Sequence, residues 1–144
     1  MHTVRDLLGK KGGKVWSVAP DSTMYDALQL MADKNVGAVL VRDGDRLLGI
    51  LSERDYARQV ILKGKNSRDT PVREIMTTRV ICVAPERTIE DCMALMTDKH
   101  IRHLPVLADG KLVGVLSIGD VVKAVISEKQ FLIEQLESYI TSSG

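Results

Sequence analysis

Charge of one sign is what this sequence has least of. Its 20 Lys and Arg stand against 19 Asp and Glu, a formal net charge of +1 over 144 residues, with the two signs interleaved. The basic field that gathers nucleic acid is lacking, so no nucleic-acid partner is expected. No apolar run reaches the roughly 20 residues of a membrane span, and the start, Met1-His2-Thr3-Val4-Arg5-Asp6, is too polar for a secretory signal. These absences lead us to expect a cytoplasmic protein with no membrane partner. Only two cysteines occur, Cys82 and Cys92, and they form no CxxC pair, which favours buried free thiols over a disulfide or a metal site.

Catalytic signatures are also lacking. There is no P-loop, no dinucleotide-binding glycine pattern, and no Cys/His or Ser/His pair with a carboxylate to orient it. No catalytic residue is assigned, and an enzyme acting on nucleotides is the weaker reading. His100-x-x-His103 crosses from a predicted helix end into a strand with no acidic or Cys ligand beside it, so no metal is assigned. Trp16 and Tyr25 are isolated aromatics, which more often fill a core than stack on a base.

What is present is 44% hydrophobic residues, enough to bury one sizeable core. Residues 4 to 8, Val-Arg-Asp-Leu-Leu, predict a short leading helix, and Gly9 to Lys14 a flexible basic loop. Val15 to Val18 predicts a strand stopped by Pro20. Thr23-x-x-Asp26 has the form of an N-cap box, and Met24, Ala27, Leu28 and Met31 keep helical spacing as far as Lys34-Asn35. The apolar runs 36 to 41 and 47 to 51, joined at Asp43-Gly44, predict a hairpin buried on both faces. A second helix follows from Ser52 to about Lys63-Gly64.

The order then repeats. Adding 65 to each position from Val15 to Ile61 lays Pro20 on Pro85, Asp26 on Asp91, Met31 on Met96, Gly49 on Gly114, Ser52 on Ser117 and Asp55 on Asp120. A constant offset over so many positions is the mark of duplication. The leading segment repeats at an offset of 68, Val4 on Val72, which puts three extra residues into the Lys10-to-Lys14 loop. A lone unit of this size has a marginal core. We therefore expect an α/β fold of two pseudo-symmetric β-α-β-β-α repeats packed face to face, at residues 1–66 and 67–126, with a C-terminal helix over 127–144. On that helix Leu132, Leu136 and Tyr139 or Ile140 form an apolar stripe, with Glu134 and Glu137 facing away. It either lies back on its own chain or makes a dimer contact.

The chemistry concentrates at Gly49-Ile50-Leu51-Ser52-Glu53-Arg54-Asp55 and its copy Gly114-Val115-Leu116-Ser117-Ile118-Gly119-Asp120. Each places a hydroxyl and a carboxylate where an apolar strand runs into a helix. Ser-x-x-Asp is itself an N-cap box, but a helix start also offers N–H groups to an anion, and Arg54 adds a cation suited to phosphate.

These residues carry a resemblance. The paired Gly-h-h-Ser-x-x-Asp segments (h, an apolar residue), the openings Val18-Ala19-Pro20 and Val83-Ala84-Pro85, and His103-Leu104-Pro105-Val106 resemble a tandem pair of CBS domains, the regulatory module named after cystathionine beta-synthase, over residues 4 to 126. Small stand-alone bacterial CBS pairs are most similar. The resemblance implies a signal-transduction module binding AMP, ADP, ATP, NAD or S-adenosylmethionine between the repeats. Asp55 and Asp120 would accept the ribose hydroxyls, Ser52 and Ser117 would face phosphate or ribose, and adenine would lie near Lys14-Val15-Trp16 and Gly37-Ala38 in one half and near Thr78-Arg79-Val80-Ile81 and His103-Leu104 in the other. Arg54 has Gly119 as its counterpart, so the Asp55 cleft is expected to be the better phosphate binder, with Arg102, His103, or Arg54 reaching across, substituting at the Asp120 cleft. A homodimer and a protein target are the partners implied. A dimerising scaffold without ligand is the alternative.

Overall fold

Hydroxyl side chains fix where the helices begin. The structure, a computed structural model, describes residues 2–12 and 14–143. Thr3 caps α1 (Val4–Lys11), Thr23 caps α2 (Met24–Lys34) and Thr88 caps α4 (Ile89–Lys99), each accepting from the N–H three residues on. The strands are β1 (Ser17–Val18), β2 (Ala38–Asp43), β3 (Arg46–Ser52), β4 (His103–Ala108) and β5 (Lys111–Ser117). Helix α3 (Glu53–Tyr56) widens into a π-helical turn at Ala57–Ile61, and α5 (Ile118–Ser143) closes the chain.

The repeat is visible in the backbone. Strands β2 and β3 pair antiparallel from Ala38–Ser52 to Asp43–Arg46, and β4 and β5 pair from His103–Ser117 to Ala108–Lys111, with a register shift at the same place in each. The second hairpin turns on Asp109 and Gly110, both at positive φ, as a two-residue primed turn requires. Helices α2 and α4 both end on a left-handed residue, Asn35 and His100. His100 is thus a helix cap, and among the described residues no group of His, Cys, Asp and Glu could hold a metal ion.

The two halves differ at their first strand. In the first, β1 pairs parallel with β2, and the Leu40 N–H donates to the Trp16 carbonyl at 3.0 Å. The residue matching Leu40 is Pro105, which has no N–H to give. The second half accordingly keeps only an isolated bridge between Val83 and Val106, and Cys82 lies in irregular chain. Burial raises the thiol pKa of Cys82, and of Cys92 in the second core.

Each core is completed by the leading segment of the opposite half. Val4 is wholly buried with Val83, Ile89, Met96, Leu104 and Leu116, and Leu7 and Leu8 pack against them. Val72 and Ile75 are buried with Met24, Met31, Val41, Leu51 and Val60. The backbone repeats the exchange: Val4 N–H donates to Arg87 O at 2.8 Å and Val72 N–H to Ser22 O at 2.8 Å. The cores therefore cross the 66/67 boundary drawn along the chain.

Three expected elements are redrawn. Helix α1 runs on through Gly9 and Lys10 to Lys11, so little of the predicted 9–14 loop is loop; Gly13 lies outside the described residues. The second helix of the first half is only four residues of α-helix before the π turn. Residues 127–143 continue α5 without a break from Ile118, a helix of about 39 Å at 1.5 Å per residue. Its stripe does not lie back on the chain: Leu132, Ile133, Leu136, Tyr139 and Ile140 are 48% to 72% exposed.

Each leading segment approaches a glycine in the facing strand closely, and the two approaches differ in how strictly they need it. A Cβ on Gly49 would stand 2.8 Å from both the Met76 sulfur and the Thr77 carbonyl oxygen, and one on Gly114 would stand 2.7 Å from a Leu8 methyl. The first clash involves backbone that itself bridges Thr77 to Ile50; the second involves the end of a flexible side chain. Gly49→Ala is expected to cost about 2 kcal/mol and Gly114→Ala less than about 1 kcal/mol in urea unfolding. Equal costs, or the reverse order, would contradict this packing.

Candidate functional site

The strand ends β3 and β5 deliver the two Ser-x-x-Asp motifs to the seam between the halves. At the first, Ser52 N–H donates to Asp55 Oδ2 at 2.8 Å, the Ser52 hydroxyl lies 3.0 Å from the same oxygen, and Asp55 N–H donates to Ser52 Oγ at 3.2 Å. At the second, Ser117 N–H donates to Asp120 Oδ2 at 2.9 Å and Asp120 N–H to Ser117 Oγ at 3.1 Å. Both motifs are complete capping boxes. The next N–H groups are also taken: Glu53 N–H donates to Gly37 O at 3.1 Å and Ile118 N–H to Arg102 O at 2.8 Å. The helix starts thus use internally most of the N–H groups expected to receive a phosphate, and side-chain cations must supply that grip instead.

Two clefts flank the seam, related by the same pseudo-symmetry as the repeats. One, of about 320 Å3, joins Lys14, Trp16, Val36 and Ala38 of the first half to His103, Val115, Ser117 and Asp120 of the second. The other, of about 490 Å3, joins Ser52, Arg54 and Asp55 of the first half to Thr77, Arg79, Ile81, Arg102 and His103, with Gly37 and Ala38 at its edge. Each carboxylate therefore faces an apolar slot built by the other half. Ala38, Ile50 and His103 line both clefts and form the wall between them.

Of the residues singled out from the sequence, Ser52, Arg54, Asp55, Gly37, Ile81 and Arg102 come together in the Asp55 cleft, and Ser117 and Asp120 in the other; Ala38 and His103 are shared. Three are not brought in. Leu104 is wholly buried in the second core, because alternation along β4 turns it away from the face His103 presents. Val15 lies between Lys14 and Trp16, which line the Asp120 cleft while it does not, and Thr78 is an exposed residue in a bend between Thr77 and Arg79, which line the Asp55 cleft. Lys14, Trp16 and Arg79 lie in the stretches expected to hold adenine and do line the clefts; Thr77 lies just outside those stretches and lines the Asp55 cleft. The offset of 65 places Lys14 on Arg79 and Trp16 on Ile81, so the duplication itself marks them as matching positions. Trp16 packs on the first core, lines the Asp120 cleft and carries the Lys34 ammonium 4.6 Å from its ring centroid. Tyr25 lines neither cleft and lies under Arg68.

A family model described as the CBS domain matches residues 4–61 and again residues 72–127. The chain belongs to the CBS-domain family. This CBS pair is 42% identical over 148 residues to the mitochondrial CBS domain-containing protein CBSX3 of Arabidopsis thaliana, covering 96% of this chain and 71% of that one. Among solved structures, it superposes on a CBS-domain protein of Burkholderia ambifaria MC40-6 assigned to signal transduction, at 49% identity and a TM-score of 0.82, over 88% of this chain and 95% of that one. A hexameric CBS-CP12 protein from bloom-forming cyanobacteria is also similar, at 26% identity and a TM-score of 0.72, over 85% and 70%. The CBS pair is thus a regulatory, signal-transduction module of two repeats.

The capping boxes of this pair set a stability test. Ser52→Ala and Ser117→Ala each remove the oxygen that accepts the Asp55 or Asp120 N–H, and each is expected to cost about 1 kcal/mol in urea unfolding. A cost near zero for both would mean that the boxes do not hold the helix starts.

Proposed function

We propose that this CBS pair senses adenosine-containing ligands, AMP, ADP, ATP, NAD or S-adenosylmethionine, in the two clefts between its halves. One observation carries the reading: each cleft sets a helix-start carboxylate from one half against an apolar slot from the other, with a cation beside them. A carboxylate accepts a vicinal diol, an apolar slot takes a planar base, and a guanidinium or ammonium pairs with phosphate. At Asp55 the cap bonds fall on Oδ2, which leaves Oδ1 for ribose hydroxyls. The module performs no catalysis and needs no catalytic cofactor.

Its output is a change in how halves or subunits sit, read by a protein target. Such a change requires the ligand to bind one arrangement more tightly than the other. The exposed stripe of Leu132, Ile133, Leu136 and Ile140 supports a homodimer through α5, and Asp120 sits in the first turn of that same helix. Ligand at the Asp120 cleft is therefore connected to the dimer contact along one helix. The free thiols Cys82 and Cys92 fit a reducing compartment such as the cytoplasm.

A second reading, a dimerising scaffold that takes no ligand, is favoured by one fact: both Ser-x-x-Asp boxes close on themselves. Thermal melting separates the two. A ligand at about a hundredfold over its Kd adds about 2.7 kcal/mol, and combining Asp55→Ala with Asp120→Ala removes that response while costing only the caps. The scaffold predicts no shift with any adenine compound. An enzyme would return the nucleotide chemically altered after incubation; the sensor returns it intact.

A further inference from the structure

The geometry points to a sorting of ligands by charge: the Asp55 cleft takes those carrying two or more phosphates, and the Asp120 cleft takes the nucleoside or its monophosphate. This rests on the adenosine reading above and adds a rule about phosphate number. Arg54, Arg79 and Arg102 all line the Asp55 cleft, where Asp55 is the only acid. None of the three makes a side-chain ion pair with a described residue. Three guanidinium groups around one cavity repel one another, and the repulsion is relieved by an anion that brings several charges and several acceptor oxygens at once. A monophosphate brings at most about two negative charges against three guanidinium groups, whereas a di- or triphosphate brings about three or four. Because capping and strand contacts already use most N–H groups of the α3 start, the grip depends on these side chains.

The Asp120 cleft has the opposite character. At the offset of 65, Arg54, Arg79 and Arg102 correspond to Gly119, Lys14 and Gly37, so one cation of three survives. Among the described residues of its lining Lys14 is the one cation and Asp120 the one acid, and Trp16, Val36, Leu40 and Val115 make the remainder largely apolar. The space is also smaller, about 320 against 490 Å3. A polyphosphate entering there would set several negative charges against one ammonium and a carboxylate, whereas a nucleoside meets an apolar slot and a diol acceptor.

Isothermal titration of the whole protein in magnesium-free buffer tests the rule, with adenosine, AMP, ATP and inorganic tripolyphosphate as probes. The variant combining Arg79→Gln with Arg102→Gln removes two exposed cations outside both cores, and its unfolding midpoint is checked alongside. ATP and tripolyphosphate are expected to weaken about tenfold or more in this variant, with adenosine unchanged. Asp120→Ala is expected to remove adenosine binding and leave ATP binding in place. Arg-dependent tripolyphosphate binding without any adenine binding would sustain the polyphosphate grip and discard the adenosine reading. Adenine compounds that bind with affinities independent of phosphate number and of both arginines would overturn the charge rule and leave the adenosine reading standing.

Discussion

The exchange of leading segments is the constraint on which the rest of this structure depends. Neither half of about 60 residues encloses a core alone: Val4 and Leu7 complete the second half, and Val72 and Ile75 complete the first. Each exchanged segment crosses the outside of a hairpin strand, at Gly49 against the Thr77 backbone and at Gly114 against the flexible end of Leu8. The swap locks the halves face to face, and the face they share becomes the seam where strands β3 and β5 end. The clefts are a by-product of that lock. Pulling the halves apart would open the cores as well as the clefts.

The same seam explains why the clefts are composite. A helix start can be capped by its own chain, and here it is, with a serine hydroxyl and an aspartate closing each box. What no half supplies for itself is the surface opposite the carboxylate. Trp16 faces Asp120 across the seam, and Ile81 faces Asp55. The two clefts share a wall of Ala38, Ile50 and His103, so a ligand in one touches residues that line the other. Duplication sets the frame, and divergence at a few positions, Arg54 against Gly119 above all, gives the two clefts different charge.

Much of this was legible in the sequence because the signals were periodic or local. The offset of 65 was read from residues alone and reappears as matching hairpin registers and matching helix caps. Hydroxyl-x-x-acid motifs announced their helix starts. The exchange of leading segments was not legible, since a repeat pattern shows that two units are alike without showing which unit a connecting segment packs against. The failure of the second parallel strand could have been read: Pro105 sits where Leu40 donates its N–H. Leu104, Val15 and Thr78 fall within stretches whose other residues reach the clefts; strand alternation turns Leu104 into the core, and a local bend leaves Thr78 exposed beside its lining neighbours. The helical extension through Lys11 was obscured by Gly9 and by the lysines beside it, which read as loop residues until the capping box at Thr3 and the packing of Leu7 and Leu8 hold the segment in place.

Apolar slot and carboxylate come from opposite halves of the chain, and its one tryptophan reports on that arrangement. Trp16 belongs to the first repeat and lines the cleft whose carboxylate, Asp120, belongs to the second. Trp16 fluorescence should change saturably as AMP is titrated; the change should vanish in Asp120→Ala and persist in Asp55→Ala. A Trp16 response that survives Asp120→Ala and disappears in Asp55→Ala would show that each half binds ligand by itself, and would contradict the account.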